Sequence, residues 1–305
     1  MIDLSVITIN FNTSSLIRGL LDSLEGLMGN LKYEIFVIDN KSSRSDREKL
    51  RKNVKKYKNL NLAENSKNLG FGKANNIGIR RSSGKYILLL NPDTYADKID
   101  FGEIIKWMDK NPNVGAMSCK LKNRDGSIQG TGGYFPTLFR VFFWMFFLDN
   151  IPLLNKLNKP FHPQHPRSPL NNDKFYSKLI SLDWITGAFF LIRRSAIPKG
   201  GFDENFFMYG EDVDLSKRIK EAGYDIIYNP FWSIIHLGGQ SSDNSYPIIT
   251  EFNGVKLFYK KYMPQYQYPI LRVILLVGII FRFVLFGILG NKSLATTYAK
   301  SIKII

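Results

Sequence analysis

Leu4-Ser5-Val6-Ile7-Thr8-Ile9-Asn10-Phe11-Asn12 opens with a β-rich run and breaks into polar residues at Asn10 and Asn12. Near-continuous Val, Ile and Leu is the signature of a strand buried on both faces. Asn12-Thr13-Ser14-Ser15 then offers N-cap residues for a helix with apolar positions at Leu16, Leu20, Leu21, Leu24 and Leu27. The same pattern returns twice. Glu34-Ile35-Phe36-Val37-Ile38-Asp39 is a second strand, ending at Asp39 and Asn40. Lys85-Tyr86-Ile87-Leu88-Leu89-Leu90 is another, ending at Asn91-Pro92-Asp93.

Helical stretches separate the strands: Ser43 to Lys58, Gly72 to Arg81 and Asp100 to Lys110. Leu60-Asn61-Leu62 and Val114 to Ser118 supply further strands. This alternation predicts an α/β fold, Rossmann-like, with a mostly parallel central sheet flanked by helices. In such sheets ligands bind at the carboxyl ends of the strands. The polar clusters at residues 10–12, 39–40 and 91–93 are therefore expected to converge on one crevice.

Composition excludes several classes. The chain has 305 residues, is 44% hydrophobic and 14% aromatic, and carries a formal charge of +16. Disorder is excluded by that apolar content. A single cysteine, Cys119, excludes an intrachain disulfide and a multi-cysteine zinc site. Met1-Ile2-Asp3-Leu4 places an acid where a secretory signal has basic residues, so the expectation is a cytoplasmic catalytic face.

Beyond residue 118 the pattern changes. Residues 134–182 form an aromatic and proline-rich insertion, with Phe139 to Leu148 too short to span a bilayer. His162 and His165 fall among its prolines and read as surface residues. Regular structure resumes over Leu182 to Ile192; Asp212 to Ala222 reads as a helix stopped by Gly223, and Ile226-Ile227-Tyr228 as a late strand. The organisation expected is a catalytic domain over 1–240 and a helical, membrane-associating region over 241–305.

Four segments taken together resemble the inverting glycosyltransferase family two, on the GT-A fold, and its rhamnosyltransferase-like branch. They are Ser5 to Asn12 with Val37 to Ser43; Asn68-Leu69-Gly70-Phe71-Gly72-Lys73-Ala74-Asn75-Asn76; Leu88 to Asp93; and Trp184-Ile185-Thr186-Gly187-Ala188 with Gly201 to Phe207 and Gly210-Glu211-Asp212-Val213-Asp214-Leu215. Each is weak alone; their order and spacing are specific. The resemblance covers about residues 4 to 240.

The resemblance implies a nucleotide-diphospho-sugar donor, UDP- or dTDP-linked. Asp39 would accept hydrogen bonds from the ribose or base, with Asn10 and Asn12 lining the same wall. Asn68 and Gly70 enter a helix whose N-terminus favours anions, and Lys73 adds charge near the diphosphate. Asn91-Pro92-Asp93 occupies the place of the family's metal motif, with Asn where the first Asp is common. Asp93 and His236 would hold a divalent cation, Mg²⁺ or Mn²⁺. Asp212 would be the general base, with Glu211 beside it, and Trp184, Thr186 and Gly187 would form the acceptor side. The implied reaction is inverting hexosyl transfer to a glycan or polyprenyl-linked acceptor in cell-surface polysaccharide synthesis. Galactofuranosyl and mannosyl transfer are the nearest alternatives.

After Glu251 the chain has no acidic residue but eight basic ones, at 256, 260, 261, 272, 282, 292, 300 and 303. Ile270 to Leu289 is long enough to cross a hydrocarbon core. Apolar residues contribute roughly −0.3 to −0.6 kcal/mol each at the bilayer centre, while an arginine costs roughly 2.5 to 3.5. With Arg272 and Arg282 present, spanning is near balance. A helix in the membrane interface, with both arginines at the headgroups, is the expected arrangement. A basic nucleic-acid-binding protein and a non-catalytic membrane scaffold are the different-class alternatives. Long aliphatic runs in place of exposed aromatics and Gly/Ser argue against nucleic acid and for an anionic membrane surface.

Overall fold

The computed structural model describes residues 1–151, 153–154, 157–162, 175–238 and 245–305. Pro163, His165, Pro166, Pro169 and the 239–241 segment after His236 lie outside them. The chain divides into two compact units. The first comprises 1–132, 173–207 and 211–241; the second comprises 133–172, 208–210 and 242–305.

The first unit is built on one sheet. Its strands are β1 (Leu4–Asn10), β2 (Tyr33–Asp39), β3 (Leu60–Glu64), β4 (Tyr86–Leu90), β5 (Thr94–Ala96), β6 (Val114–Lys122), β7 (Ile128–Gln129), β8 (Ile180–Leu182), β9 (Phe189–Arg193) and β10 (Asp225–His236). The order is β3-β2-β1-β4-β9-β6-β10-β5, with β7 on β6 and β8 on β10. Every residue of β1 and β4 is buried, as their unbroken apolar runs require.

The predicted parallel arrangement holds for one half of the sheet. β3, β2, β1 and β4 run parallel, with Asn10 level with Asp39. The other half is mixed. β9 lies antiparallel between β4 and β6, β5 and β8 pair antiparallel with β10, and only β6 and β10 are parallel there. A parallel neighbour needs a crossover that returns the chain to the same end of the sheet. No helix is described between β8 and β9, and β9 enters from the opposite end.

The late strand is longer than the sequence pattern indicates. β10 runs twelve residues, through a register shift between Asn229 and Ser233 that accommodates Pro230. Proline cannot donate to the ladder, so it sits at the irregularity. The strand then resumes and carries His236 to its end.

The helices of this unit are α1 (Ser14–Leu24), α2 (Arg44–Val54), α3 (Phe71–Arg81), α4 (Phe101–Lys110) and α6 (Glu211–Glu221). α1 buries Ile17, Leu20, Leu21 and Leu24, one face of a 3.6-residue repeat. α2 buries only Leu50 and Val54, as expected of a charged surface helix. α3 approaches β1 closely: a Cβ on Gly78 would lie 2.6 Å from Ile7 Cγ2.

The second unit holds α5 (Leu138–Met145), α7 (Ser245–Tyr262), α8 (Gln267–Ile288) and α9 (Lys292–Ser301). The aromatic part of the predicted insertion thus groups with the C-terminal helices. α8 buries the stripe Leu271, Leu275, Gly278, Ile279 and Arg282. Two sequence expectations change here. Arg282 is only 5% exposed and does not reach outward. Its guanidinium donates to the carbonyls of Trp144 and Met145, which end α5, and to the Tyr298 hydroxyl. Helix ends leave carbonyls without intrahelical partners, and a cation there satisfies them. His162 is not a surface residue either: its ring packs against Phe161 and Trp144, centroids 4.0 and 4.6 Å away. Burial, with Arg282 nearby, pushes its pKa down to about 3.

Candidate active site

Three groups of predicted residues sit where β1, β2 and β4 end. In the first, Asn10 and Asp39 are both fully buried. The Asn10 amide donates to Asp39 Oδ1 at 2.9 Å, Ser42 Oγ at 2.9 Å and Asp46 Oδ2 at 2.8 Å. Asp39 Oδ2 accepts from the Ser42 N–H. Asn12 adopts a left-handed backbone, φ 58°, and its Oδ1 accepts from the Ser43 N–H at the start of α2. Asp46 completes the network by accepting from the Ser14 N–H and hydroxyl. Asn10 therefore works as a connector between strand ends and helix starts. In sequence, Ser42 and Asp46 read as ordinary capping residues at a helix start, and only the fold shows their place in this network.

The second group is the loop from Asn65 to Gly70, organised by Asn40. The Asn40 Oδ1 accepts from the Leu69 N–H at 3.0 Å and from Asn65, and its amide donates to Asn68 Oδ1 at 2.8 Å and to the Gly70 carbonyl. Asn68 Oδ1 also accepts from the Gly70 N–H. Gly70 has φ 80° and ψ 177°, and a Cβ there would lie 2.1 Å from the Phe207 carbonyl oxygen. That carbonyl accepts from the Phe71 N–H, so the glycine permits a direct backbone contact. Lys73 points to Glu204, 2.5 Å from Oε2, and holds the Glu204 carboxyl below the usual range. In the free protein its charge is already matched.

The third group gathers Asn91, Asp93 and His236, brought together from 143 residues apart by the β5–β10 pairing, which sets His236 level with Thr94. His236 Nε2 is 3.3 Å from Asp93 Oδ1 and 3.4 Å from the Asn91 amide nitrogen. Asp93 is 7% exposed. On the ring's other side, Nδ1 is 2.5 Å from Gln129 Oε1. Among the described residues no group of three or more His, Cys, Asp or Glu side chains could hold a metal. Asp93 and His236 supply two ligands of the kinds divalent cations accept, and waters and substrate phosphates must supply the rest. The two facing atoms have the spacing of adjacent ligands on one octahedral cation, about 3 Å for bonds near 2.1 Å.

The segment after β8 joins these groups. The Asn91 N–H donates to the Ala188 carbonyl, and a Cβ on Gly187 would lie 2.8 Å from the Phe71 ring. Thr186 Oγ1 is 2.9 Å from Thr131 Oγ1, and Trp184 is buried, its carbonyl against Gly132.

α6 carries the acidic run at its N-terminus. Glu211 is 4% exposed, and its Oε2 has no hydrogen-bond partner among the described residues. Burial, reinforced by the charge of Asp212, holds the Glu211 carboxyl well above the usual carboxylate range. Asp212 is half-buried, and its Oδ1 accepts from the Val213 N–H at 2.9 Å. Asp214 turns away and pairs with Arg218 at 2.7 Å, while Arg218 also donates to the Gly201 carbonyl.

Residues 5–200 match the family model for glycosyl transferase family 2. Among curated proteins, the chain is 26% identical over 199 residues to N-acetylglucosaminyl-diphospho-decaprenol L-rhamnosyltransferase of Mycobacterium tuberculosis, covering 60% of each chain. It is 27% identical to rhamnosyltransferase WbbL of Escherichia coli over 70% of this chain and 78% of that one. It is 24% identical to the low-salt glycan biosynthesis hexosyltransferase Agl10 of Haloferax volcanii, over 90% and 82%. The matched region thus spans 60% of the length of the mycobacterial relative. Among solved structures, mannosyltransferase PcManGT of Pyrobaculum calidifontis, in complex with GDP-Man and Mn²⁺, superposes with a TM-score of 0.57 at 18% identity, covering 98% of this chain and 73% of that one. GalNAc-T7 with UDP, GalNAc and Mn²⁺ gives 0.59 at 17% identity, over 86% and 50%. The fold is therefore GT-A-like, and the chain belongs to glycosyl transferase family 2.

Proposed function

We propose that this protein is an inverting glycosyltransferase that moves a sugar, with rhamnose from dTDP-rhamnose the leading candidate, onto a lipid-linked glycan at the cytoplasmic face of a membrane. The observation that carries the reading is the meeting of Asn91, Asp93 and His236 at the end of β4, continuous through Ala188 and Phe71 with the Gly70 loop. The rhamnosyltransferase names of two relatives support the sugar, and the mycobacterial relative's name supports a polyprenyl diphosphate acceptor.

Within this reading, the Gly70 loop and the start of α3 receive the donor's diphosphate, and Asp93 and His236 hold a divalent cation against it. When bound, the cation neutralises charge on the departing nucleotide diphosphate. Asp212 takes the acceptor's proton. The acceptor oxygen bonds to the anomeric carbon as its bond to the diphosphate oxygen breaks, so one displacement inverts the centre. Glu211 suits this role less, because its carboxyl is buried, which holds it above the usual carboxylate range, while Asp212 is half-buried. Two adjacent carboxyls in different surroundings divide the work of base and orienting group. Lys73 must leave Glu204 to reach a diphosphate, and their exposed pair costs little to break.

Membrane contact is supported by α8. Val273, Val277, Ile280, Val284 and Ile288 are exposed on it, between 45% and 79%. With Arg282 turned inward, this face carries no charge toward a lipid. Arg272 and the lysines of α7 and α9 supply positive charge for anionic headgroups.

A sugar-nucleotide panel tests the function. Thermal stabilisation by dTDP- or UDP-sugars that increases with Mn²⁺, followed by transfer to a polyprenyl-diphosphate glycan with inverted anomeric configuration, is the expected outcome. Selective use of a galactofuranosyl or mannosyl donor would replace rhamnose. No donor binding across the panel would leave a membrane scaffold, and retained configuration would overturn the mechanism.

A further inference from the structure

His236 does not stand alone behind its ligand atom. Its Nδ1 lies 2.5 Å from Gln129 Oε1, on the short strand β7 that folds back on the end of β6. Gln129 Nε2 donates to Asn123 Oδ1 at 3.2 Å. The Asn123 amide donates to Ser127 Oγ at 2.9 Å, and the Ser127 hydroxyl donates to Asp125 Oδ1 at 2.5 Å. Gly238, φ 66°, leaves room for Gln129: a Cβ there would come 3.3 Å from Nε2.

The direction of this chain is decided at its outer end. Hydrogen bonding from Ser127 keeps the Asp125 carboxyl below its ordinary range, so it has no proton to give near neutrality. The Ser127 hydroxyl must therefore point to Asp125, leaving lone pairs for Asn123. The Asn123 oxygen is then left to accept from Gln129, and the Gln129 oxygen to face the imidazole. An oxygen facing Nδ1 requires a hydrogen on Nδ1. In a neutral imidazole the other nitrogen then has a lone pair, and it faces Asp93 Oδ1 at 3.3 Å. Two acceptors at that distance repel unless a proton or a metal cation lies between them.

We infer that Gln129 is a positioning residue for His236, holding the ring in the Nδ1–H tautomer with its Nε2 lone pair toward Asp93 as a ready-made half of a divalent-cation site. The inference rests on the transferase reading only for the purpose of that cation. Metal-bound histidines commonly donate their second N–H to a carbonyl or carboxylate, and losing that partner costs about 10- to 100-fold in metal affinity. Gln129 has no carboxylate, thiol or imidazole of its own, which is why a search for ligand-type residues passes over it.

The imidazole ¹⁵N–¹H spectrum of the whole, metal-free protein tests this. With three histidines, signals are assigned by replacing each in turn. At alkaline pH, where the ring is neutral, wild type should carry the hydrogen on Nδ1 of His236. Gln129→Leu should lose that preference, and apparent affinity for Mn²⁺ alone, read by paramagnetic broadening of the same signals, should fall at least tenfold. Gln129→Glu keeps an acceptor oxygen and should keep both properties. A neutral wild-type His236 ring that carries its hydrogen on Nε2 overturns the inference without any variant. So does a Gln129→Leu protein with unchanged tautomer and affinity. If Gln129→Glu falls as far as Gln129→Leu, Gln129 serves only packing and the inference fails. None of these readouts uses a sugar nucleotide, so an intact tautomer with no donor binding would sink the transferase reading alone.

Discussion

Replacing Gly70 with alanine separates backbone strain from steric conflict. At φ 80° and ψ 177° Gly70 occupies a region open essentially to glycine, and a side chain there costs about 1 to 3 kcal/mol. The added Cβ would also lie 2.1 Å from the Phe207 carbonyl oxygen. That contact cannot be relieved by rotating a side chain, because both partners are backbone. The loop must move, breaking the Phe71–Phe207 hydrogen bond and disturbing the Asn40 bonds that hold the loop. At about 1 kcal/mol for each hydrogen bond lost, Gly70→Ala should cost about 3 to 5 kcal/mol in all. Gly26 is the control: φ is 81°, and nothing lies within 4 Å of its added Cβ. Gly26→Ala should cost only the strain, about 1 kcal/mol. Urea denaturation of both variants, followed by tryptophan fluorescence, gives the comparison. Equal losses would show that the close approach to Phe207 contributes nothing. A folded Gly70→Ala protein with unaltered nucleotide affinity would remove this loop from the donor site.

The same geometry bears on the acidic pair, the cation and the membrane. Asp212→Asn keeps shape but cannot accept a proton, so steady-state transfer should fall by about 10²- to 10⁴-fold with donor affinity little changed; near-normal turnover would move the base elsewhere. Glu211→Gln removes a carboxyl that this reading does not use as the base and should leave turnover within a few-fold. The same variant should alter pH dependence. A carboxyl whose folded pKa is raised binds more protons in the native state, so its stabilising contribution is full below about 4.5 and fades as pH rises through the folded value. Denaturation curves across pH should therefore flatten on the alkaline side in Glu211→Gln, and parallel curves would contradict the raised pKa. Asp93→Ala should abolish the Mn²⁺-dependent part of donor binding in calorimetry, and unchanged affinity would remove Asp93 from the site. Salt or alkaline wash should release the full chain from anionic vesicles if α8 lies at the surface; release by detergent alone would show that it spans.

Local pattern was enough for the parallel half of the sheet. The runs at 4–9, 35–39 and 86–90 are buried on both faces, so their composition alone identifies them, and the polar residues after them mark the end where ligands bind. Ordered motifs pointed to the family, because the segments around Asn68, Gly70, Asp93 and Asp212 resemble it in order and spacing even where no periodicity singles these residues out. Tertiary structure decided what depends on distant partners. The antiparallel entry of β9 follows from where the preceding chain emerges, which no local pattern encodes. Arg282 resembles an interfacial arginine in sequence, yet it caps α5, because the carbonyls that need it belong to a helix 137 residues earlier. Lys73 is matched by Glu204 and His236 is oriented by Gln129 for the same reason: the sequence specifies which groups are present, while the direction in which each presents its charge or lone pair depends on partners that only folding brings within hydrogen-bonding reach.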